Sequence, residues 1–483
     1  MQSSNTLTMS SVDGPQSSDN FAFLPLTLWD NLSHQGLTKA WLVEGILDPK
    51  KIEEALDRVV AKWPVLAGRV EVTGKKRYQM KIPLGTLPPD YKAYIVTSTT
   101  SDVPLSHYVK VPLAPVTKFP PADLFVTKER AQMNTLDAYA AQSAPFTHWH
   151  LTHFKQPGEE FTCLGVNYSH GILDGVGFGM VMHAFQAELS GTEWDAPPLP
   201  SPGLNENVFG TVMEREYQKF KQQSTREPYP NWRVAGFGGL LVFLAKSFWH
   251  NWRYGVGDYN FVIPFSVHTK LVKEARRALE EEGVTDIRPS GGDIMTSWLM
   301  QATFMDGGDS RRLIGLQNVG SLRDEWDRQF KQYPHNCCTT LRCPPISVHD
   351  LTTLPVHQIA YKVAHARVHG NRIADAVAQY DLLHEADRTS GFPLPVHGAA
   401  DDHFIMSNVS VARISELNFR GAGGGPVLCH YKYFPESPFT LTNMFGNNGR
   451  LENGDLIVNA TIDNPRASRL ESELQKLIER FKE

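Results

Sequence analysis

Positive charge, cysteine and long apolar runs are all scarce in this chain of 483 residues. Asp and Glu outnumber Lys and Arg by 52 to 47, a formal net charge of −5, so no excess of basic residues offers a face for nucleic-acid phosphates. The five cysteines, Cys163, Cys337, Cys338, Cys343 and Cys429, are odd in number and lack zinc-like spacing against histidines. Neither a disulfide framework nor a metal site follows from them, and a reducing, cytoplasmic compartment is expected. The first twenty residues are polar and Ser-rich, without a basic stretch leading into an apolar one. A frayed tail is expected there, and no secretory leader.

The most apolar segment is Val234 to Trp252, with the run G-F-G-G-L-L-V-F-L-A from Gly236 ending at Lys246. A bilayer-spanning helix needs about 20 apolar residues, and this run is too short. It reads first as a helix packed on the body of the protein, with a membrane-surface contact at 236–252 as the alternative.

At this length two domains are expected. Asp48-Pro49 supplies an N-cap and a first-turn proline, and Ile52, Ala55, Leu56, Val59, Val60 and Trp63 follow at helical spacing until Pro64. Strand-like segments continue to about residue 165. The Pro-rich stretch Pro197 to Pro202 and the polar run Met213 to Pro230 suggest a crossover linker. Beyond it, Ser266 and Asp293 are expected to cap helices, and strands are expected at 312–319, 403–411, 427–433 and 456–462. Asn453-Gly454 reads as a hairpin turn, and Asn464-Pro465 opens a last amphipathic helix. The fold class is α/β.

Function is concentrated in Tyr168-Ser169-His170-Gly171-Ile172-Leu173-Asp174-Gly175. Glu160 to Tyr168 alternates as a strand does, and Val176, Met180, Val181, Ala184, Phe185 and Leu189 share a helical face that Gly191 closes. His170 therefore lies at a strand-to-helix turn. An imidazole, with an ordinary pKa of about 6.5, can take a proton from an alcohol or amine as it attacks a carbonyl. Asp174 could orient that imidazole directly, or turn away and pin the loop through a distant arginine; the spacing leaves both open. By itself His-x-x-x-Asp occurs often by chance, and no third residue completes a metal site.

Further stretches give the motif a context. Trp63-Pro64-Val65-Leu66-Ala67-Gly68-Arg69 resembles the "YPLAGR" segment of the BAHD family of acyl-CoA-dependent acyltransferases. Pro25 to Asp30 resembles that family's opening "plS-x-x-D", and His170 to Gly175 its HxxxDG. Ser290 to Trp298 resembles a helix start of its second domain; Asn318 to Arg323 with Tyr333 to Asn336 resembles its "vnlR…YfGN" region. The ordered set covers about residues 21–480, in the style of fungal members.

The resemblance implies two similar chloramphenicol-acetyltransferase-like α/β domains with a channel between them. The expected organisation is a tail at 1–20, an N-terminal domain at 21–195, a linker at 196–235 and a C-terminal domain at 236–483. It further implies His170 as general base, Asp174 as a structural residue paired with Arg323, and Gly175 as the residue that lets the backbone turn tightly. Ser407 is implied as donor to the oxyanion, with Asn408 as second candidate. Acyl-CoA, such as acetyl-CoA, is implied as co-substrate with no tightly bound cofactor, and a hydroxyl of a terpenoid, polyketide or alkaloid as acceptor. A monomer is expected.

One motif departs from the family. Its DFGWG falls on Asn418-Phe419-Arg420-Gly421-Ala422, which keeps the phenylalanine and a glycine and loses the aspartate and tryptophan. Gly423 to Gly425 follow and read as a plain flexible loop, or as backbone that could approach a phosphate. Two other readings therefore stay open. One is a scaffold of this type that uses His170 for cyclisation or elimination, or that binds a natural product without acyl transfer. The other is a freestanding condensation domain, against which Ser169 stands where a second histidine would precede the motif.

Overall fold

The strand Glu159–Ser169 is buried on both faces and pairs antiparallel with Thr147–Gln156 on one side and Gly36–Glu44 on the other. These strands come from a computed structural model, which describes residues 20–33, 36–199, 206–223, 229–305, 308–326, 328–435 and 440–482. Residues 1–19 of the tail expected at 1–20, and Pro200 to Pro202 of the Pro-rich stretch, lie outside those residues. Ile95–Thr100 extends the sheet in parallel beyond Thr147–Gln156, and Val427–Tyr433 completes it beside Gly36–Glu44. The last strand belongs, by sequence, to the far half of the chain.

The reverse loan occurs in the second sheet. Its eight strands include Leu313–Ser321, Asp402–Asn408, Met444–Arg450, Leu456–Asp463 and Val256–Ile263, and its edge is Val116–Lys118 from the first half. Each sheet carries its own apolar core: one gathers Trp41, Trp63, Trp149 and Phe178, the other Phe261, Leu299, Phe404 and Leu470. A third cluster joins Trp29 to Phe209, Met213, Tyr217 and Tyr380. Phe209, Met213 and Tyr217 lie on the helix Val208–Lys221, so the stretch read as linker carries a packed helix. The architecture is mixed α/β.

Local chemistry explains the helix ends. Asp48 accepts from the Lys50 amide at 2.9 Å at the start of Pro49–Lys62. Gly191, at φ 66°, ends Gly175–Ser190 in the left-handed region that glycine tolerates. Two expected caps move. Helix Phe265–Glu281 begins one residue before Ser266, after Pro264. In Gly291–Phe304 the cap is Ser290, while Asp293 returns a bond to the Ser290 amide at 2.7 Å, which closes a capping box. The last helix, Asn464–Arg480, is capped by Asp463. Met444–Arg450 and Leu456–Asp463 form the hairpin whose turn holds Gly454 at φ 88°.

The segment read first as a helix packed on the body is corrected. Phe237–Tyr254 is a helix, but none of its side chains is buried. Its polar His250 and Asn251 face the protein, bonding Asp463 Oδ2 at 3.2 Å and the Thr440 carbonyl at 3.0 Å. Phe237, Leu241, Val242, Phe248, Trp249 and Trp252 are exposed, while Leu240, Phe243 and Leu244 are half-buried on the arc of the polar anchors.

Candidate active site

His170 follows directly on the strand Glu159–Ser169, and Asp174 caps the helix Gly175–Ser190. The five-residue interval is held from both ends. Asn336 Nδ2 donates to the His170 carbonyl and to Asp30 Oδ1, both at 2.9 Å. His335 Nδ1 meets the Ile172 carbonyl at 2.9 Å. Asp30 in turn accepts from the amide and hydroxyl of Thr27 at 2.7 and 2.9 Å. Burial pushes the Asp30 carboxyl up to about 6, against the opposing pull of these donors.

Asp174 turns away from the imidazole. Its two oxygens accept from Arg323 Nη1 and Nη2 at 2.8 Å each, from the Val176 and Gly177 amides at 3.1 and 2.8 Å, and from the Cys337 amide at 3.1 Å. Burial disfavours the carboxylate, but Arg323 and the amides outweigh it and hold the group below its ordinary range. Arg323 is equally committed: Nε donates to the Tyr333 carbonyl and Nη2 to the His335 carbonyl, both at 2.9 Å. A bidentate pair of this kind, saturated by backbone partners, fixes one geometry of the loop.

The imidazole of His170 is thereby left free of a carboxylate. Its Nδ1 is buried without a hydrogen-bond partner among the described residues. Burial, and next the cation of Lys432, lower its pKa to about 4, so the ring is neutral at pH 7. Lys432 stands directly across from Lys39 on adjacent strands. Lys39 Nζ reaches Asn448 Oδ1 at 3.4 Å, and burial drives both amines toward the neutral form, Lys432 to about 8. Neither lysine stands out by a motif; the signal for Lys39 is a charge inside the largely apolar run Leu37 to Val43.

Gly175 opens the helix in close contact with the far half of the chain. Its φ is not in the left-handed region; a Cβ there would come within 2.5 Å of Val409 Cγ1. The same tightness recurs at Gly177, where a Cβ would lie 1.6 Å from the Pro334 carbonyl oxygen, and at Gly179 against Ala412. The contacts at Gly175 and Gly179 seat the start of the helix against Val409 and Ala412, just beyond Asp402–Asn408, the strand that carries Ser407 and Asn408. Strand alternation sends those two side chains to opposite faces. Asn408 Oδ1 is held by the Ser410 amide and hydroxyl at 3.1 and 2.7 Å, and its amide nitrogen lies against Gly292. The hydroxyl of half-buried Ser407 makes no hydrogen bond among the described residues.

The segment Asn418 to Gly425 is packed and hydrogen-bonded. Asn418 Oδ1 accepts from the Arg420 amide at 2.8 Å, Phe419 is buried edge-on to Trp41, and Gly421 abuts the Leu189 carbonyl. The amides of Gly423, Gly424 and Gly425 all bond within the chain, to the carbonyls of Arg420, Phe419 and Glu44. No N–H of the three is left to give to a phosphate.

No protein-family model matches the chain, and no curated protein matches it in sequence. Solved structures do. TRI101 of F. graminearum, in complex with coenzyme A and T-2 mycotoxin, superposes with a TM-score of 0.67 at 13% identity, over 94% of this chain and 98% of that one. Polyketide synthase associated protein 5 of Mycobacterium tuberculosis matches with a TM-score of 0.56 at 12% identity, over 93% and 96%. The first condensation domain of the calcium-dependent antibiotic synthetase matches with 0.55 at 13%, over 94% of both. At these identities the likeness is one of fold, and the chain has the two-domain α/β fold that these proteins share.

Proposed function

We propose that this protein transfers an acyl group, acetyl or another short chain, from acyl-CoA to a hydroxyl of a secondary metabolite. The observation that carries the proposal is the division of labour at the motif. Asp174 is saturated by Arg323 and backbone amides, while His170 is neutral and without a carboxylate partner. A neutral imidazole held on a rigid turn is what proton abstraction from a weakly acidic alcohol needs. The fold of TRI101, crystallised with coenzyme A and with T-2 mycotoxin, supports the substrate classes.

In the proposed reaction His170 takes the hydroxyl proton as the oxygen attacks the thioester carbonyl. The C–O bond forms, and negative charge collects on the former carbonyl oxygen. Ser407 is the proposed donor to that oxyanion; Asn408 is a poor second, since its side chain is already engaged by Ser410. Collapse of the tetrahedral intermediate breaks the C–S bond, and the imidazolium returns its proton to the departing thiolate. The products are an ester and free CoA. Lys432 and Lys39 help keep the imidazole deprotonated between turnovers.

The test is incubation with acetyl-CoA and a panel of hydroxylated terpenoids, polyketides and alkaloids, reading thiol release and the mass of the product. An acetyl adduct formed by the wild type and absent with folded His170→Ala supports the reading. A product of unchanged or dehydrated mass that still requires His170 would instead establish elimination or cyclisation.

A further inference from the structure

The helix Phe237–Tyr254 buries no side chain fully and leaves a broad apolar arc in the open, unlike an ordinary surface helix. Six large apolar side chains, Phe237, Leu241, Val242, Phe248, Trp249 and Trp252, are between 50 and 69% exposed. At 3.6 residues per turn they fall within one arc of about 140°. The opposite arc holds His250 and Asn251, whose hydrogen bonds to Asp463 and the Thr440 carbonyl fix which way the helix faces. Lys246 and Arg253 flank the apolar arc on one edge, and the helix contains no Asp or Glu. The patch continues at its start: Phe392, also exposed, pairs across from Ala235 in the short ribbon that leads into the helix.

We propose that this helix docks the protein on the surface of an anionic lipid bilayer, lying in the interface plane without crossing it. Its chemistry distinguishes lipid from a protein partner. The outward arc offers aromatic and aliphatic surface, and the helix's own Lys and Arg, with no Asp or Glu among its residues, make its charge cationic. A membrane interface matches that arrangement: rings insert at the headgroup level, while Lys246 and Arg253 extend to lipid phosphates. Trp249 and Trp252 touch, ring centroids 5.4 Å apart, and form one wedge at the end of the helix. Among the described residues no helix is long and apolar enough to span a bilayer. The inference is independent of the proposed acyl transfer.

The experiment is flotation of the full chain with vesicles of phosphatidylcholine alone and with about one-third phosphatidylserine. The wild type is expected to float with the anionic vesicles, and about tenfold less well with the neutral ones. Trp249→Ser/Trp252→Ser should lower anionic-vesicle binding by about tenfold or more, with circular dichroism and melting unchanged, since neither side chain is buried. Lys246→Glu/Arg253→Glu should remove the preference for phosphatidylserine. Sedimentation of the same proteins without lipid supplies the opposing outcome. If the wild type ignores both vesicles and forms a dimer that the Trp pair abolishes, the face binds a second copy and the proposal falls. It falls equally if the wild type is monomeric and does not float.

Discussion

Arg323 grips Asp174 with two parallel hydrogen bonds of 2.8 Å, across 149 positions of sequence. The same carboxylate caps the helix that begins at Gly175, so a single side chain ties the helix start to the far half of the chain. The pair is almost wholly buried, and its loss leaves an uncompensated charge on whichever partner remains. Arg323→Ala and Asp174→Ala are each expected to lower unfolding stability by about 3–5 kcal/mol. Denaturant titration reads this. The double variant should cost much less than the sum of the two, since neither charge is then stranded.

His170→Ala should leave folding intact and lower transfer by about 10²–10⁴-fold. In the wild type the acid limb of the rate profile should fall near pH 4, where the ring protonates. Lys432→Met removes the cation that helps hold that value down, so the limb should move up toward 6.5. Initial rates between pH 3.5 and 8 give both answers; a limb unmoved in Lys432→Met would remove that lysine from the mechanism.

Ser407→Ala should lower kcat by about 10²–10³-fold with KM little changed, the mark of a group that acts on the transition state. Asn408→Ala is expected to affect melting more than kcat, because its side chain bonds Ser410.

How much of this could be read before the fold was known depends on where each interaction lies. The turn from Tyr168 to Gly175 is local: the alternation before it, the helical face after it and the glycine at 191 all sit within one window of sequence. By contrast, the pairing of Asp174 with Arg323 came only through the resemblance, since no spacing rule reaches so far. Met444–Arg450 escaped entirely. Met-Phe-Gly-Asn-Asn-Gly-Arg is made of turn formers, yet it is clamped between a parallel and an antiparallel neighbour, with a bulge at Asn447/Gly449. The helix Arg372–Thr389 shows no apolar stripe, because it buries Asp375 and Gln379 along with Ala376 and Tyr380. Whether Phe237–Tyr254 packs inward or faces outward was left open by its sequence for the opposite reason: periodicity identifies an apolar arc, and the anchors at His250 and Asn251 tell which way it points.

Glycine at 177 is expected to be irreplaceable on steric grounds. Gly177→Ala drives a methyl into the Pro334 carbonyl, backbone that cannot swing aside. A loss of about 1–3 kcal/mol or more is expected. Thermal unfolding checks it, with Gly191→Ser as a control in which nothing is near the added Cβ and only the left-handed φ is strained.

Acid should destabilise the folded state through its buried imidazoles. Burial lowers His335 and His268 to about 4 and His148 to about 3, against an ordinary value of 6.5. Below pH 6.5 the unfolded chain takes up protons that these folded rings refuse, so stability is full above 6.5 and is lost toward pH 4. Asp30, raised to about 6, works in the opposite sense and gains stability as pH falls from 6 to 3.8. Denaturation midpoints from pH 7 to 4 should decline, and less steeply in His335→Asn.

The strands lent between the two sheets bear on how such a chain can be recombined. Residues 427–433 complete the sheet that holds His170, and residues 116–118 edge the sheet that holds Ser407. A chimera spliced between residues 196 and 235 would therefore not exchange one self-sufficient half for another. Each parent would contribute an edge strand shaped for a sheet it no longer meets. New acceptor or donor preferences are more readily grafted by trading single loops, with the interlaced strands inherited together as one unit.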